Sequence, residues 1–154
     1  MCGIAGIVDP TGAPVDPEVL RRMTRALTSR GPDGEGFWFA PGVGLGHRRL
    51  SVIDLSSAGT QPMGGEDDTV QVTFNGEIYN FASLVDELSA AGHKFRSHCD
   101  TEVLVHGYEE WGEGLLDRAA LEAALAPGPS KTEVLPVEIY RHLDVEIWAR
   151  YWMR

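Results

Sequence analysis

Apolar positions fall in short blocks along the chain, and the spacing within each block predicts an element. Residues 3–8, GIAGIV, read as a buried strand closed by the turn residues DPTG. Asp16-Pro17 supplies an N-cap and a first-turn proline, and Val19, Leu20, Met23 and Leu27 follow at helical spacing. That helix is expected to stop before RGPDGEG, whose glycines and proline require a loop. GFWFA and VGLGH predict two strands around a turn at Pro41-Gly42, and RLSVIDL predicts a further strand. The polar, Gly-rich SSAGTQPMGGEDD reads as a connection.

TVQVTFNGEIYNF alternates with period two around Asn75-Gly76, the pattern of a hairpin. Asn80 is placed to cap a helix carrying Phe81, Leu84, Val85 and Leu88, with Gly92 as its stop. HKFRSH reads as a short strand, and Asp100 as the cap of a helix over TEVLVHGYEEW. Residues 119–135 are alanine-rich and then proline-rich, as a linker is. Residues 136–154 carry Ile139, Leu143, Ile147 and Tyr151 on one face of an amphipathic helix.

Composition narrows the function classes. With 154 residues, 43% hydrophobic and 23% charged, the chain fits one soluble globular domain with its own core. The net charge of −10 is uneven: residues 1–50 hold six Arg and five acids, and the remainder holds most of the acids. Nucleic acid and anionic membranes are therefore not expected partners. Neither a signal peptide nor a membrane-spanning run is expected, and two cysteines, Cys2 and Cys99, make no disulfide framework. A cytoplasmic location fits these features. His93, His98 and Cys99 lie close in sequence but lack the paired spacing of metal ligands, so no metal is expected.

The placement of Cys2 is a chemical signal. Methionine removal before a small residue leaves a thiol and a free α-amine on one residue. That amine, with a pKa of about 8, is a competent base beside a thiol of about 8.5. Attack on an amide also needs donors aimed at the oxyanion, and the Asn75 side chain with the Gly76 N–H is a plausible pair. Arg49 is suited to a substrate carboxylate, and Asp100 or Glu77 to its ammonium. Each of these features also has a plain structural use. Asn75-Gly76 suits a turn, Asp100 a helix cap, and Arg48 and Arg49 a solvated surface.

Taken in order, MCGIAGI, RGPDG, GHRRLSVIDL, QPM, FNGEIYN and SHCDTEVLVHGYEEWG resemble the class II glutamine amidotransferase domain. The likeness is nearest to the glutaminase half of glutamine-hydrolysing asparagine synthetases, and it covers residues 2–118. It implies an α+β fold, the N-terminal-nucleophile hydrolase αββα sandwich with antiparallel sheets. It implies that Cys2 attacks the glutamine amide, giving glutamate and ammonia, with Asn75 and Gly76 as oxyanion hole. Arg49 would hold the α-carboxylate, and Asp100, Gly76 and Glu77 would place the α-amine. Leu50, Val52 and Ile53 would line the pocket.

The resemblance implies no cofactor for the glutaminase step. ATP and Mg²⁺ would belong to a synthetase domain, of which this sequence carries no loop. Residues 136–154 resemble the end of a synthetase, so the chain is expected to be an internally deleted form with an incomplete sandwich. Its partners would be glutamine and either a synthetase or acceptor domain in trans or a second copy of the chain. Two further readings stand beside the glutaminase: a silent or glutamine-binding remnant, and an amidotransferase serving another acceptor.

Overall fold

The computed structural model describes residues 1–115. The expectations for residues 119–135 and 136–154 lie outside the described residues.

The chain begins with β1 (Gly3–Val8), the expected strand. Helix α1 (Pro17–Arg25) starts as its sequence predicts, with the Asp16 carboxylate accepting the Glu18 N–H at 2.8 Å and proline in the first turn. Strands β2 (Gly34–Ala40) and β3 (Val43–Arg49) flank the turn at Pro41-Gly42, where Gly42 has φ +74°. The three strands form an antiparallel sheet in the order β1-β3-β2, with Gly3 opposite Arg48 and Gly34 opposite Arg49.

Alternation along β3 decides what covers each face of that sheet. Gly44 and Gly46 face α1, where a Cβ at Gly44 would come 3.0 Å from Leu20 and one at Gly46 would strike the Thr24 hydroxyl. These glycines let the helix lie close, and Leu20 and Thr24 are fully buried there. On the opposite face, a Cβ at Gly36 would run into the Gln61 backbone. Next come β4 (Met63–Gly64) and β5 (Gln71–Val72), a two-stranded antiparallel pair. Met63, Val72 and Phe74 then pack against Val105 of α3 (Glu102–Trp111), beside which lies α2 (Phe81–Ala91). The order of layers is helix, sheet, sheet, helix: an α+β fold with antiparallel sheets, of N-terminal-nucleophile hydrolase type.

Four expectations are corrected, three of them because backbone donors are taken by side chains. RLSVIDL is not a strand beyond Arg49. It folds back around Asp54, whose carboxylate accepts the Ser56 N–H at 2.7 Å, and leads to a 3₁₀ turn at Ser57–Gly59. No hairpin forms at Asn75-Gly76, because the Phe74 N–H goes to the Gln61 side chain (2.6 Å) and the Ile78 N–H to Asp100 (2.8 Å). HKFRSH is not a strand, since the Arg96 and Ser97 N–H groups both bond the Glu102 carboxylate, at 2.7 and 2.8 Å. Lastly, Thr101 and not Asp100 holds the N-cap position of α3. Asn80 does precede α2, without a side-chain capping bond, and Gly92 ends that helix at φ +111°.

Candidate functional site

A cavity of about 340 Å³ opens where the start of β1, the end of β3, the loop after Phe74 and the turn before α3 meet. Every residue the sequence assigned to nucleophile, oxyanion hole or glutamine pocket lines it. Cys2 comes from the chain start, and Arg49, Leu50, Val52 and Ile53 come from the end of β3 and the loop beyond. Asn75, Gly76 and Glu77 come from the unpaired loop, and Asp100 from the turn before α3.

Cys2 is held at three points. Its carbonyl accepts the Arg30 Nε–H at 3.0 Å, the Leu50 N–H donates to Sγ at 3.4 Å, and Sγ lies 3.7 Å from the Leu50 carbonyl. Met1 lines the same cavity and is 75% exposed, so the peptide bond before Cys2 is accessible.

Across the cavity, Gly76 is required by geometry: a Cβ there would meet the Phe74 ring. Among the described residues, neither the Asn75 side-chain amide nor the Gly76 N–H has a hydrogen-bond partner within the protein. Two donors side by side are thereby left for a ligand oxygen.

The Arg49 guanidinium sits under the loop that follows it. Its Nη1 donates to the Ser56 carbonyl at 2.5 Å and its Nη2 to the Asp54 carbonyl. The fork expected to be open to a carboxylate is thus shared with the loop's own backbone. Gly59 gives the room, since a Cβ there would press on the guanidinium. Asp54 fixes the loop in turn: its carboxylate bonds Ser56 and also accepts the His98 N–H at 3.0 Å. The bonds from Ser56 and His98 hold its pKa down at about 2, with Arg49 adding a smaller pull.

Asp100 is buried and spends one carboxylate oxygen on the Ile78 N–H, which ties the turn before α3 to the loop carrying Asn75 and Gly76. Cys99 lines the cavity too, but burial pushes its thiol pKa up, so it stays protonated at neutral pH. Of the trio His93, His98 and Cys99, only His93 belongs to a ligand-type cluster among the described residues, and its companions there come from elsewhere in the chain.

Sequence patterns missed Gln61. It is buried, accepts the Phe74 N–H, and donates through Nε2 to the Thr101 hydroxyl at 3.0 Å, joining both walls of the cavity. A polar side chain in a Gly-rich connection carries no periodic signal. Also unforeseen is His47, two residues before Arg49 on the same face of β3. It is fully buried with neither ring nitrogen hydrogen-bonded, and burial lowers its pKa to about 4 despite the nearby Phe74 backbone.

The layered α+β fold with its antiparallel sheets is of the class of N-terminal-nucleophile hydrolases. Within that class the chain belongs to the glutamine amidotransferase domain family, whose sequence profile matches residues 1–126. It is similar to asparagine synthetase [glutamine-hydrolyzing] 1 of Bacillus subtilis, 41% identical over 116 residues (73% of this chain and 18% of the relative). It is 44% identical over 120 residues to asparagine synthetase 3 of that organism (76% and 19%), and 42% over 121 residues to asparagine synthetase 1 of Arabidopsis thaliana (76% and 20%). The matched region thus spans about a fifth of the length of these relatives. Among the described residues, no helix is long and apolar enough to cross a membrane.

Proposed function

We propose that this chain, once Met1 is removed, hydrolyses the side-chain amide of glutamine to glutamate and ammonia. The observation that carries this reading is the single cavity shared by Cys2, Asn75-Gly76, Arg49 and Asp100. Family membership and the glutamine-hydrolysing relatives support the choice of substrate.

The freed α-amine of Cys2 takes the thiol proton, directly or through a water, as sulfur attacks the amide carbon. The oxyanion forms against the Asn75 amide and the Gly76 N–H. Collapse breaks the C–N bond, and the α-ammonium returns its proton to the departing nitrogen, releasing ammonia and leaving a glutamyl thioester. Water, deprotonated by the same amine, adds to the thioester, and a second collapse frees glutamate and the thiol. The Leu50 N–H at sulfur holds the attacking atom in place. Arg49 holds the α-carboxylate, while Asp100 and Glu77 hold the α-ammonium. Leu50, Val52 and Ile53 form the wall along the side chain.

No step requires a cofactor. Ammonia would pass to an acceptor domain, and aspartate, ATP and Mg²⁺ chemistry would reside there. Residues 2–118 are proposed as the amidotransferase unit, 119–135 as a linker and 136–154 as a separate terminal segment.

Intact mass is expected to show loss of Met1, and a coupled glutamate assay to show turnover of glutamine. Cys2→Ala is expected to lower that turnover by at least about 10³-fold. Activity surviving Cys2→Ala would sink the mechanism, and calorimetric glutamine binding without turnover would show a binding module in place of an enzyme.

A further inference from the structure

A second group of chemically capable side chains stands apart from the cavity. Glu66, from the loop between β4 and β5, meets His93, just past the end of α2, and His106 and Glu109 of α3. One ligand atom from each lies within 4.8 Å of the others, and none of the four residues lines the cavity. His106 Nδ1 is 3.2 Å from Glu66 Oε2 and 3.1 Å from Glu109 Oε2, and His93 Nδ1 is 3.9 and 3.6 Å from the same two atoms. Four ligands at about 2.0–2.1 Å around a tetrahedral ion are separated by about 3.3 Å. The four distances bracket that edge.

The outer contacts are those of a ligand set. Both imidazoles turn Nδ1 inward and leave Nε2 beside a carboxylate outside the cluster: Glu110 at 3.3 Å for His93, Glu102 at 3.5 Å for His106. A carboxylate hydrogen-bonded behind a histidine fixes its ring, as Glu110 does for His93, whereas His106 Nε2 is buried without a hydrogen bond. Glu66 is oriented likewise, with Oε1 accepting the Lys94 N–H at 3.0 Å while Oε2 faces the histidines. Glu109 Oε1 is buried with no hydrogen-bond partner, although its Oε2 faces both rings. The loop closes on this group because residue 65 is glycine: a Cβ there would lie 2.8 Å from Glu109 Cδ.

We propose that Glu66, His93, His106 and Glu109 form a binding site for a borderline divalent transition ion, with Zn²⁺ the best match to two imidazoles and two carboxylates. The ion would fasten the β4–β5 loop to α3 and to the segment leading to Cys99 and Asp100. Its role is structural, because the four protein ligands complete a tetrahedron. Imidazolium rings held between the same carboxylates are the competing account, and metal titration separates the two.

The full chain, stripped with chelator, is to be titrated with Zn²⁺ by calorimetry and with Co²⁺ by visible absorption. A Cys2→Ser/Cys99→Ser background keeps thiols out of the readout. The expected result is one ion per chain, tetrahedral Co²⁺ bands without sulfur-to-cobalt charge transfer, and a Tm that rises with metal. Glu66→Gln and His93→Gln, at the most exposed ligand and the more accessible of the two histidines, are each expected to keep the native circular dichroism and weaken binding at least about 10-fold. Absence of saturable binding to the folded chain overturns the proposal, as does unchanged affinity in the folded Glu66→Gln/His93→Gln double variant.

Discussion

Replacing Gln61 tests whether the two walls of the cavity are held by one side chain. Gln61→Met keeps length and removes both polar atoms. The Phe74 N–H, now bonded at 2.6 Å, would be left buried without a partner, a cost of about 1–3 kcal/mol. The Thr101 hydroxyl also loses the 3.0 Å bond it accepts but keeps the one it donates to Asp100 Oδ1 at 3.5 Å, so this loss is about 1 kcal/mol. The sum is about 2–4 kcal/mol. Thr101→Val keeps the Phe74 bond, loses the Gln61 bond together with the longer contacts to Cys99 Sγ (3.4 Å) and Asp100 Oδ1 (3.5 Å), and is expected to cost about 1 kcal/mol. Urea unfolding of both variants, with unchanged m-values, gives the energies, and glutamate release gives kcat/KM. Because Phe74 precedes Asn75-Gly76 and Thr101 follows Asp100, Gln61→Met is also expected to lower kcat/KM more than Thr101→Val. If Gln61→Met unfolds within about 0.5 kcal/mol of wild type, or Thr101→Val costs as much, the bridge does not carry the load assigned to it.

Two further predictions concern pH. His47 has a folded pKa of about 4 against about 6.5 unfolded, so the unfolded chain binds the extra proton first. Stability from this residue is full above pH 6.5 and falls as pH drops toward 4, by roughly 3 kcal/mol. His47→Gln is expected to flatten that limb in urea titrations, and an unchanged slope would refute the assignment. Asp54 acts lower on the scale: its carboxyl is held at about 2, so its contribution is present above pH ~4 and is lost as pH falls through about 2. Asp54→Asn is expected to remove that acid limb and raise KM for glutamine by loosening the loop around Arg49; an unaltered KM would show that the loop does not position the guanidinium.

What the sequence made legible was local. β1, α1, the β2–β3 hairpin and α2 follow from period, cap and turn residues, because their backbone groups are satisfied within the element or by its immediate neighbour. The segments 50–56, 73–79 and 93–99 were misread for the opposite reason. Their apolar alternation suggests strands, yet their N–H groups are spent on Asp54, Gln61, Asp100 and Glu102, residues 2 to 44 positions away. A buried carboxylate or amide that takes one or two backbone donors outcompetes a ladder there, and no periodicity records it. Cys2, Asn75-Gly76 and Arg49 were nonetheless legible as site candidates, because residue type and order carry chemistry where hydropathy does not.

Strand register explains how a thiol at the start of the chain reaches the residues it is proposed to serve. β1 pairs with β3 from Val8 opposite Val43 to Gly3 opposite Arg48, so Cys2 falls just past the ladder, next to Leu50. Arg49, at the end of the same β3, is then a neighbour by construction, with no loop needed to deliver it. A shift of one residue would turn Ala5 out of the core and move the thiol away from the Leu50 N–H. The close fit of Leu27 over Gly3, where a Cβ would come within 2.7 Å, opposes that slip by admitting no side chain at the position. Gly3 therefore locks the register that places the proposed nucleophile.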